Sequence, residues 1–488
     1  MKQPIKLWQV CTIDIVFLSV MILAMRVTAG FALIALILLG CLFAFSHKGG
    51  LAATCYLSIF LLQNINFAVI PQNIIVNVGC KVGYIMIALA MLVTGSGSRA
   101  EKLPLGLLWL YLFWMSVVSA AGWFPIISYL KLVNYAMFVA GSMILIKFVR
   151  HSGTDLLQIR AIFLAISFVM AVGSALTYPF PDICYSMDIN KAARYGIYLT
   201  GEQVLNRPQQ ALFNGLTWHS QALAPMLAAS FIWTACDMFF IEKRITKIHG
   251  MILLCAPVLI YMTRSRTGLL TMLVSLMVFF LYACRKVVMP HKLRQHINIV
   301  AGFLLALSIG GAVALEIKDS TFTKWLRKND DVQSDSRSLT DAVVSTRMFA
   351  LESNLSDFYE SPFLGTGFQV TRDFQYLYGN KEIASLISAP CEKGITPLVV
   401  LAEGGIVGGI IFYVFVVAFY VDCVSKRRVT LVAMFTVIVV SNLSESTFFS
   451  PSGAGGYMWI FAFIGGLICD LAIRESADMR LQYDKWIK

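Results

Sequence analysis

The sequence predicts an all-α membrane protein whose chain crosses the bilayer many times. Hydrophobic residues make up 58% of the chain and charged residues 14%, whereas a soluble chain carries about a quarter charged residues. The mean hydropathy is +0.74. Apolar runs recur from the beginning of the chain to its end, so the membrane spans are the fold itself rather than an anchor attached to a soluble domain.

The apolar runs have the length of membrane-spanning helices. A helix needs about 20 apolar residues to cross the hydrocarbon, within a range of about 17 to 25. The first run is interrupted by Asp14 and soon followed by a second, which is not the pattern of a cleaved signal peptide. By length we predict about 14 spans, near residues 8–25, 28–45, 51–70, 79–95, 104–122, 125–146, 160–177, 219–240, 249–263, 267–284, 297–315, 396–419, 429–443 and 456–473.

The loop charges predict which side of the membrane each loop faces. With the N-terminus in the cytoplasm, every even-numbered loop is also cytoplasmic, and so is the C-terminal tail. All of these segments are basic, as the positive-inside rule requires. The net charge of +12 therefore needs no nucleic-acid partner. The basic residues are Lys2, Lys6, Lys48, Arg99, Lys102, Lys147, Arg150, Lys243, Arg244, Lys247, Arg285, Lys286, Lys292, Arg294, Lys426, Arg427, Arg428, Arg474, Arg480, Lys485 and Lys488.

Two sizeable segments of this single helical domain, residues 1–488, are predicted to lie outside. They are residues 178–218 and residues 317–395, the second inserted between the eleventh and twelfth spans. From Lys318 to Lys393 there are nine Lys or Arg and eleven Asp or Glu residues, a net charge near −2. A loop this long is usually functional rather than a simple connector. The two halves show no sequence repeat, which disfavours a transporter built from inverted repeats.

The eleven cysteines show no spacing typical of a metal or redox site. Most lie within spans, where cysteine behaves as a small apolar residue. Cys184 and Cys391 are the exceptions, because both fall in the outer segments. An oxidising compartment permits a disulfide between them, and two free thiols are the alternative.

The sharpest local motif is Thr263-Arg264-Ser265-Arg266-Thr267-Gly268, between two apolar runs with almost no room for a loop. Two arginines here would lie at the outer membrane boundary. One interpretation is that their guanidinium groups anchor a tight turn by reaching toward water. The other is phosphate binding, because the planar guanidinium donates two parallel hydrogen bonds. A pair one residue apart could hold a diphosphate from two sides.

Several other polar residues stand out against the apolar background. Arg207 is a third outer arginine, or simply a solvated charge. His219 opens the next span and is either a helix cap or a functional histidine. Glu403 lies inside a span, where carboxylates are costly and often functional. Asp14 and Lys131 also lie in spans, where each could pair within the bundle, and the sequence assigns neither a role.

Taken in order, these motifs resemble the bacterial O-antigen polymerase and O-antigen ligase superfamily. The resemblance covers roughly residues 200 to 410, and the earlier part agrees only in being a string of spans. The matching elements are the Arg207-Pro208 segment before His219, the Arg264-Ser265-Arg266 turn, Arg347 followed by Ser361-Pro362-Phe363-Leu364-Gly365-Thr366-Gly367-Phe368, and Glu403-Gly404-Gly405-Ile406-Val407-Gly408.

The resemblance implies a membrane glycosyltransferase of GT-C-like architecture that needs no metal or other cofactor. Its donor and acceptor would be undecaprenyl-diphosphate-linked glycans at the outer face of the bacterial inner membrane. Arg264 and Arg266 match the diphosphate-binding arginines, Arg207 their upstream partner, and Arg347 the loop arginine. The implied partners are a flippase and a co-polymerase that regulates chain length.

One departure from the ligase pattern favours a polymerase. Ligases usually open the span after the large loop with a His-Asn pair, whereas this chain has Glu392-Lys393-Gly394, similar to exopolysaccharide polymerases. Glu392 is therefore the first candidate for the base that deprotonates the acceptor hydroxyl, and His219 is the second. The alternatives are an O-antigen ligase that transfers polymer to the lipid A core, and a flippase that moves the lipid-linked sugar without changing it.

Overall fold

The computed structural model describes residues 6–28, 30–66, 68–70, 74–95, 103–149, 153–184, 212–217, 219–286, 351–370 and 394–474. Within these ranges the chain forms helices joined by turns, with no β-strand. The helices are α1 Leu7–Thr28, α2 Gly30–Phe45, α3 Gly49–Leu62, α4 Ile74–Thr94, α5 Gly106–Ala121, α6 Pro125–Phe148, α7 Gly153–Phe168, α8 Pro181–Cys184, α9 Ser220–Cys236, α10 Lys247–Met262, α11 Arg266–Lys286, α12 Thr396–Ser425, α13 Val429–Asn442 and α14 Gly453–Ile460.

Three of these helices continue through a π-helical turn, which holds one more residue than an α-helical turn. The turns are Val169–Gly173 after α7, Asp237–Glu242 after α9 and Phe461–Gly466 after α14. Residues 351–360 form a further helical segment. Single π turns inside α-helices occur often at functional positions.

Six helices are long and apolar enough to cross a membrane, and seven shorter apolar helices accompany them. Every predicted span that falls on described residues overlaps one of these helices, although the predicted span 51–70 extends beyond the helix Gly49–Leu62. The predicted span 297–315 lies outside the described residues. The six long helices are Leu7–Thr28, Pro125–Phe148, Thr154–Leu176, Ser220–Glu242, Thr396–Ser425 and Gly453–Arg474.

The helices carry apolar residues on their exposed as well as their buried faces, as a lipid-facing helix does. In α1 a stripe that includes Leu18 and Met25 is fully buried, whereas Ile13 and Leu23 on the opposite face are more than 60% exposed. Hydrocarbon would cover such a face at no cost. The described chain is thus an all-helical protein built for a membrane.

The chain divides into two compact units. The first comprises residues 1–101, 140–272 and 452–488, and its core holds the stacked rings of Phe163 and Trp233 with Phe461 edge-on against Phe163. Asp14 is buried in this unit, where the Gln158 amide donates to its carboxylate at 3.1 Å. Asp14 thus pairs within the bundle, as its position in a span allowed.

The second unit comprises residues 102–139 and 273–451. Its core is a cluster of aromatic rings centred on Phe449, which Tyr111 stacks against at 5.1 Å between ring centroids. Lys131 is 2% exposed and donates to the carbonyl oxygen of Gln369 at 3.0 Å. This lysine therefore also has a partner inside the protein.

Candidate functional site

Only three residues, 263–265, form the turn between α10 and α11. They include the first two residues of the Arg-Ser-Arg motif, and its third residue, Arg266, begins α11. The Thr263 hydroxyl donates to the carbonyl of Ile260 at 2.7 Å and accepts from the amide of Ser265 at 3.3 Å. The Ser265 hydroxyl accepts from the amide of Gly268 at 3.1 Å. Serine is a preferred residue at this N-cap position because its oxygen satisfies an unpaired amide of the first helical turn.

The two hydroxyl residues are buried, and the two arginines are partly exposed. Thr263 and Ser265 are 1% and 4% exposed, whereas Arg264 and Arg266 are half-buried. Arg264 has a φ of +52°, in the left-handed region, between the end of α10 and the start of α11. Arg266 is the first residue of α11. The turn thus places two arginines at the start of a helix.

Gly268 brings the first turn of α11 against the first turns of α9. A Cβ atom added at Gly268 would overlap the Cβ of Ala224, since it would lie much closer than side-chain carbons can approach. Ala224 is the fifth residue of α9 and Gly268 the third of α11. The amino-terminal ends of the two helices are therefore neighbours, and a side chain at position 268 would separate them.

His219 is the N-cap of α9. Its Nδ1 accepts a hydrogen bond from the amide of Gln221 at 3.0 Å, and its carbonyl accepts from the amide of Leu223 at 3.0 Å. A ring nitrogen that accepts an amide proton carries no proton itself, so the neutral imidazole holds its proton on Nε2. His219 is therefore arranged to donate a hydrogen bond from Nε2 rather than to accept a proton there.

The segment leading to His219 is held by backbone contacts of the first unit. Gly215 has a φ of +55°, and a Cβ there would lie 2.6 Å from the Cβ of Ser174. The Ser174 hydroxyl accepts from the amide of Leu216 at 3.2 Å. Asn66 donates its backbone amide to the carbonyl of Leu216 at 2.6 Å and its side-chain amide to the carbonyl of Ile183 at 3.0 Å. These contacts fix where α9 begins.

Of the residues predicted to bind or transfer the substrate, the structure describes His219, Arg264 and Arg266. It places the helices that carry them side by side through the contact of Gly268 with Ala224. Arg207, Arg347, Glu392 and Cys391 lie outside the described residues, so their roles and the disulfide remain predictions.

Cys184 ends α8 and is fully buried. Its carbonyl accepts from the amide of Asn214 at 2.6 Å, so its backbone joins two parts of the first unit. Burial raises the pKa of the Cys184 thiol to about 11. Because the thiolate is the reactive form of cysteine, the thiol is a poor nucleophile at neutral pH.

The motif Glu403-Gly404-Gly405-Ile406-Val407-Gly408, in the second unit, has a structural role that the sequence did not reveal. The helix α12 is broken at Gly405, whose φ is +64° and ψ −171°. Residues 361–367 fill the break. The amides of Thr366 and Gly367 donate to the carbonyls of Ala402 and Glu403, both at 3.1 Å. The amide of Ile406 donates to the carbonyl oxygen of Pro362 at 2.8 Å.

The same loop contacts the hairpin of α5 and α6. The amide of Trp123 donates to the carbonyl of Thr366 at 3.1 Å, and the Ser128 hydroxyl accepts from the amide of Phe368 at 2.7 Å. A Cβ at Gly122 would lie 2.5 Å from the Thr366 oxygen. The Pro-x-x-Gly-x-Gly stretch is therefore a backbone-docked element of the second unit, and its glycines permit that docking.

The arrangement in the first unit is suited to holding an anion. The start of a helix carries a partial positive charge and unpaired amides, so phosphate groups bind there readily. Here two helices begin side by side. One of them begins with Arg266 after a turn that contains Arg264, and guanidinium groups add charge-assisted hydrogen bonds to phosphate oxygens.

Comparison with known proteins yields one family. Residues 250–413 match the family model described as O-antigen ligase. No curated protein matches the chain. The matched range begins in α10, includes the arginine turn and the docked loop, and ends in α12 beyond Gly405.

Proposed function

Because residues 250–413 make the chain a member of the O-antigen polymerase and ligase superfamily, we propose that it joins undecaprenyl-diphosphate-linked glycans at the outer face of the bacterial inner membrane. The observation that carries this proposal is the pair Arg264 and Arg266, set on a three-residue turn at the start of α11 beside the start of α9. The polymer grows from lipid-linked repeat units, which are both donor and acceptor. A flippase would supply them, and a separate co-polymerase would regulate the chain length.

The arginines act on the leaving group. The acceptor hydroxyl attacks the anomeric carbon of the donor, a new glycosidic bond forms, and the bond from that carbon to the diphosphate oxygen breaks. Negative charge then grows on undecaprenyl diphosphate. Fixed cations and helix amides stabilise such charge most strongly in a site that excludes water. Arg207 and Arg347 would add to this binding from the outer segments, residues 178–218 and 317–395.

A base must remove the proton from the attacking hydroxyl of the acceptor glycan. Glu392 is the first candidate, because it stands just before α12 in the motif shared with exopolysaccharide polymerases. His219 is the second candidate, but its Nδ1 already accepts from Gln221. We therefore assign the Nε2 proton of His219 to a phosphate oxygen and the base to Glu392. A base of this kind contributes about 10²- to 10⁴-fold to the rate.

The decisive experiment removes the arginines one at a time. We expect Arg264→Ala and Arg266→Ala to abolish polymer formation and to weaken binding of undecaprenyl diphosphate to the purified protein. Arg244→Ala is the matched control, because Arg244 is an exposed arginine at the other end of the α9–α10 pair. Normal polymer length in both site variants, at equal membrane levels, would refute the proposal.

The ligase is the second candidate, and the description of the matching family favours it. A ligase transfers finished polymer to the lipid A core, whereas a polymerase transfers it to another lipid-linked repeat unit. Giving the purified protein each acceptor separately distinguishes the two. We expect elongation with lipid-linked repeat units, and transfer only to the lipid A core would assign the ligase. In the same assay Glu392→Gln should lose turnover while it retains binding of undecaprenyl diphosphate.

A further inference from the structure

The helix α12 is longer than the hydrocarbon core of a bilayer, and its break divides it at the length of that core. Its 30 residues extend about 45 Å at 1.5 Å per residue, whereas the core is about 30 Å thick. The charged turn 426–428 ends the helix. Counted back from that turn, about 20 residues cross the core, which places its opposite edge at the break, near Gly405.

A second observation places the break at the same edge. The amide of Trp123 donates to the carbonyl of Thr366 at 3.1 Å, so the loop that fills the break lies against the turn between α5 and α6. Both of these helices are apolar, and a turn between two membrane spans lies at a boundary of the bilayer. The break is therefore level with such a boundary.

The exposure of α12 changes at the break as well. Residues 396–405, all of which the structure describes, include no exposed residue, whereas exposed residues begin at Ile406. An exposed apolar face on a long apolar helix is suited to contact with lipid. We call this face the lipid face of α12, and its residues are Ile406, Val407, Ile410, Tyr413, Val414, Val417, Val421 and Val424.

The loop that fills the break carries two exposed apolar residues of its own. Phe363 and Leu364 are 71% and 48% exposed. The carbonyl of Pro362 accepts from the amide of Ile406 at 2.8 Å, and a Cβ at Gly405 would overlap the carbonyl of Phe363. The backbone of the loop thus lies against the residues at which the lipid face of α12 begins, so the exposed apolar surface continues from the helix onto the loop.

The helical segment 351–360, which leads into this loop, has a pattern that water does not favour. It buries Asn354 and Asp357, which are 3% and 5% exposed, and it exposes Leu355 and Tyr359, which are 39% and 75% exposed. Residues 355 and 359 are four apart and share one face of the helix. Apolar residues that are exposed together mark a binding surface rather than a solvated one.

We propose that the segment 351–370 is held in the surface of the bilayer by a surface anchor of four exposed apolar residues, Leu355, Tyr359, Phe363 and Leu364. Phe363 and Leu364 enter the acyl chains beside the lipid face of α12. Tyr359 lies at the level of the headgroups, where tyrosine is enriched in membrane proteins. A stretch that the sequence places in a large outer loop is thereby tied to the membrane.

Lipid is the partner that the surrounding residues favour. On a helix of 3.6 residues per turn, Leu355 and Tyr359 occupy one half of the exposed face and the polar residues the other half, as in a helix that lies in the bilayer surface. These polar residues are Glu352, Ser356 and Glu360. The surface anchor also continues into the lipid face of α12, so a protein bound to the anchor would have to displace lipid from that face. The proposal does not rest on the proposed function, because the arginine turn belongs to the other unit.

The experiment places a small environment-sensitive fluorescent amino acid at position 363 of the full-length protein in lipid nanodiscs. Lipids with brominated acyl chains quench a fluorophore that contacts them, and iodide quenches one that contacts water. We expect brominated lipid to quench the label at position 363 as strongly as a label at Val417, which is 62% exposed on the lipid face of α12. A label at Glu352 is the matched control on the same segment, and iodide should quench it several-fold more than the label at position 363.

A second measurement tests whether the apolar side chains hold the segment in place. The double variant Phe363→Ser with Leu364→Ser removes both apolar groups, whereas Phe363→Leu keeps an apolar group and serves as its control. We expect amide hydrogen exchange of residues 351–360 in nanodiscs to be several-fold faster in the double variant than in Phe363→Leu. If the double variant does not fold, the quenching at position 363 decides the proposal alone.

Three results would overturn the surface anchor. Iodide quenching at position 363 as strong as that at position 352 would show that the anchor faces water. An apolar environment at position 363 without quenching by brominated lipid would show that a protein, such as a second copy of this chain, covers it. Equal exchange of residues 351–360 in the two folded variants would show that the side chains do not hold the segment. All three leave the proposed function intact.

Discussion

At the scale of single residues, hydroxyl groups do much of the work of placing the charged groups. Thr263 and Ser265 close the turn between α10 and α11, the turn that carries Arg264 and leads into Arg266. A charged side chain is useful for binding only where its backbone is fixed, and at these positions short polar side chains fix it.

The capping role of His219 can be separated from a chemical one. Asparagine is as good an N-cap as serine or aspartate, whereas loss of a cap to alanine costs about 1 kcal/mol. We therefore expect His219→Ala to lower the melting temperature and His219→Asn to restore it. Glycan synthesis by His219→Asn then reports on Nε2 alone. Full activity of that variant would show that the ring contributes nothing beyond the cap.

Gly405 combines a backbone conformation that favours glycine with a contact that excludes a side chain. A Cβ there would overlap the carbonyl oxygen of Phe363. Gly453 also has a positive φ, +65°, but a Cβ added there would meet no atom within 4 Å, so this residue isolates the cost of the backbone conformation. That cost is about 1–2 kcal/mol. Thermal unfolding in detergent should show that Gly405→Ala lowers the melting temperature much more than Gly453→Ala does.

Charged residues that interrupt apolar runs could be identified as candidates from the sequence alone. Two arginines one residue apart between apolar runs predict either an anchored turn or, at the outer membrane boundary, an anion site. Glu403 and the glycines after it were also conspicuous, but their contacts were not predictable, because the break at Gly405 exists only when residues 361–367 dock against it. The contact of the His249 Nε2 with a carboxylate oxygen of Asp237, at 3.1 Å, was not predictable either, because Asp237 begins a π turn that hydropathy does not reveal.

At the scale of elements, the close approach of α9 and α11 is what places two helix starts together. Gly268→Ala would push the helices apart, since the new Cβ would overlap that of Ala224. We expect weaker binding of undecaprenyl diphosphate by Gly268→Ala and partial recovery in Gly268→Ala with Ala224→Gly, because the second change removes the opposing methyl group. The affinity is measured by titrating each purified variant with undecaprenyl diphosphate. Equal affinity of the single variant and the unsubstituted protein would contradict the packing argument.

The helices themselves were predictable because each apolar run is long and bounded by charged or turn residues. The boundaries agree closely for the predicted span 219–240 and the helix Ser220–Glu242, whereas the predicted span 51–70 runs past Leu62, where its helix ends. The three π turns were not predictable. An inserted residue leaves a run apolar, so hydropathy does not change, and only the packing of neighbouring helices shows where the extra residue is accommodated.

At the scale of the whole molecule, the loop charges predict the orientation. Truncated fusions to alkaline phosphatase, which is active only outside the cytoplasm, test it directly. We expect high activity for a fusion after Met262, next to the arginine turn, and low activity for one after Arg244. The reverse pattern would place Arg264 and Arg266 in the cytoplasm and remove the basis of the proposed glycosyl transfer.

The break in α12 has a consequence for biogenesis. In hydrocarbon each unsatisfied backbone group costs several kcal/mol, so the newly made segment around Gly405 enters the bilayer most readily as an unbroken helix. The segment that later fills the break, residues 361–367, is synthesised before α12 and stays outside the hydrocarbon until α12 has inserted. Assembly of the second unit therefore has an order, insertion before docking, and a variant that cannot dock would accumulate as an inserted but immature protein open to quality-control proteases.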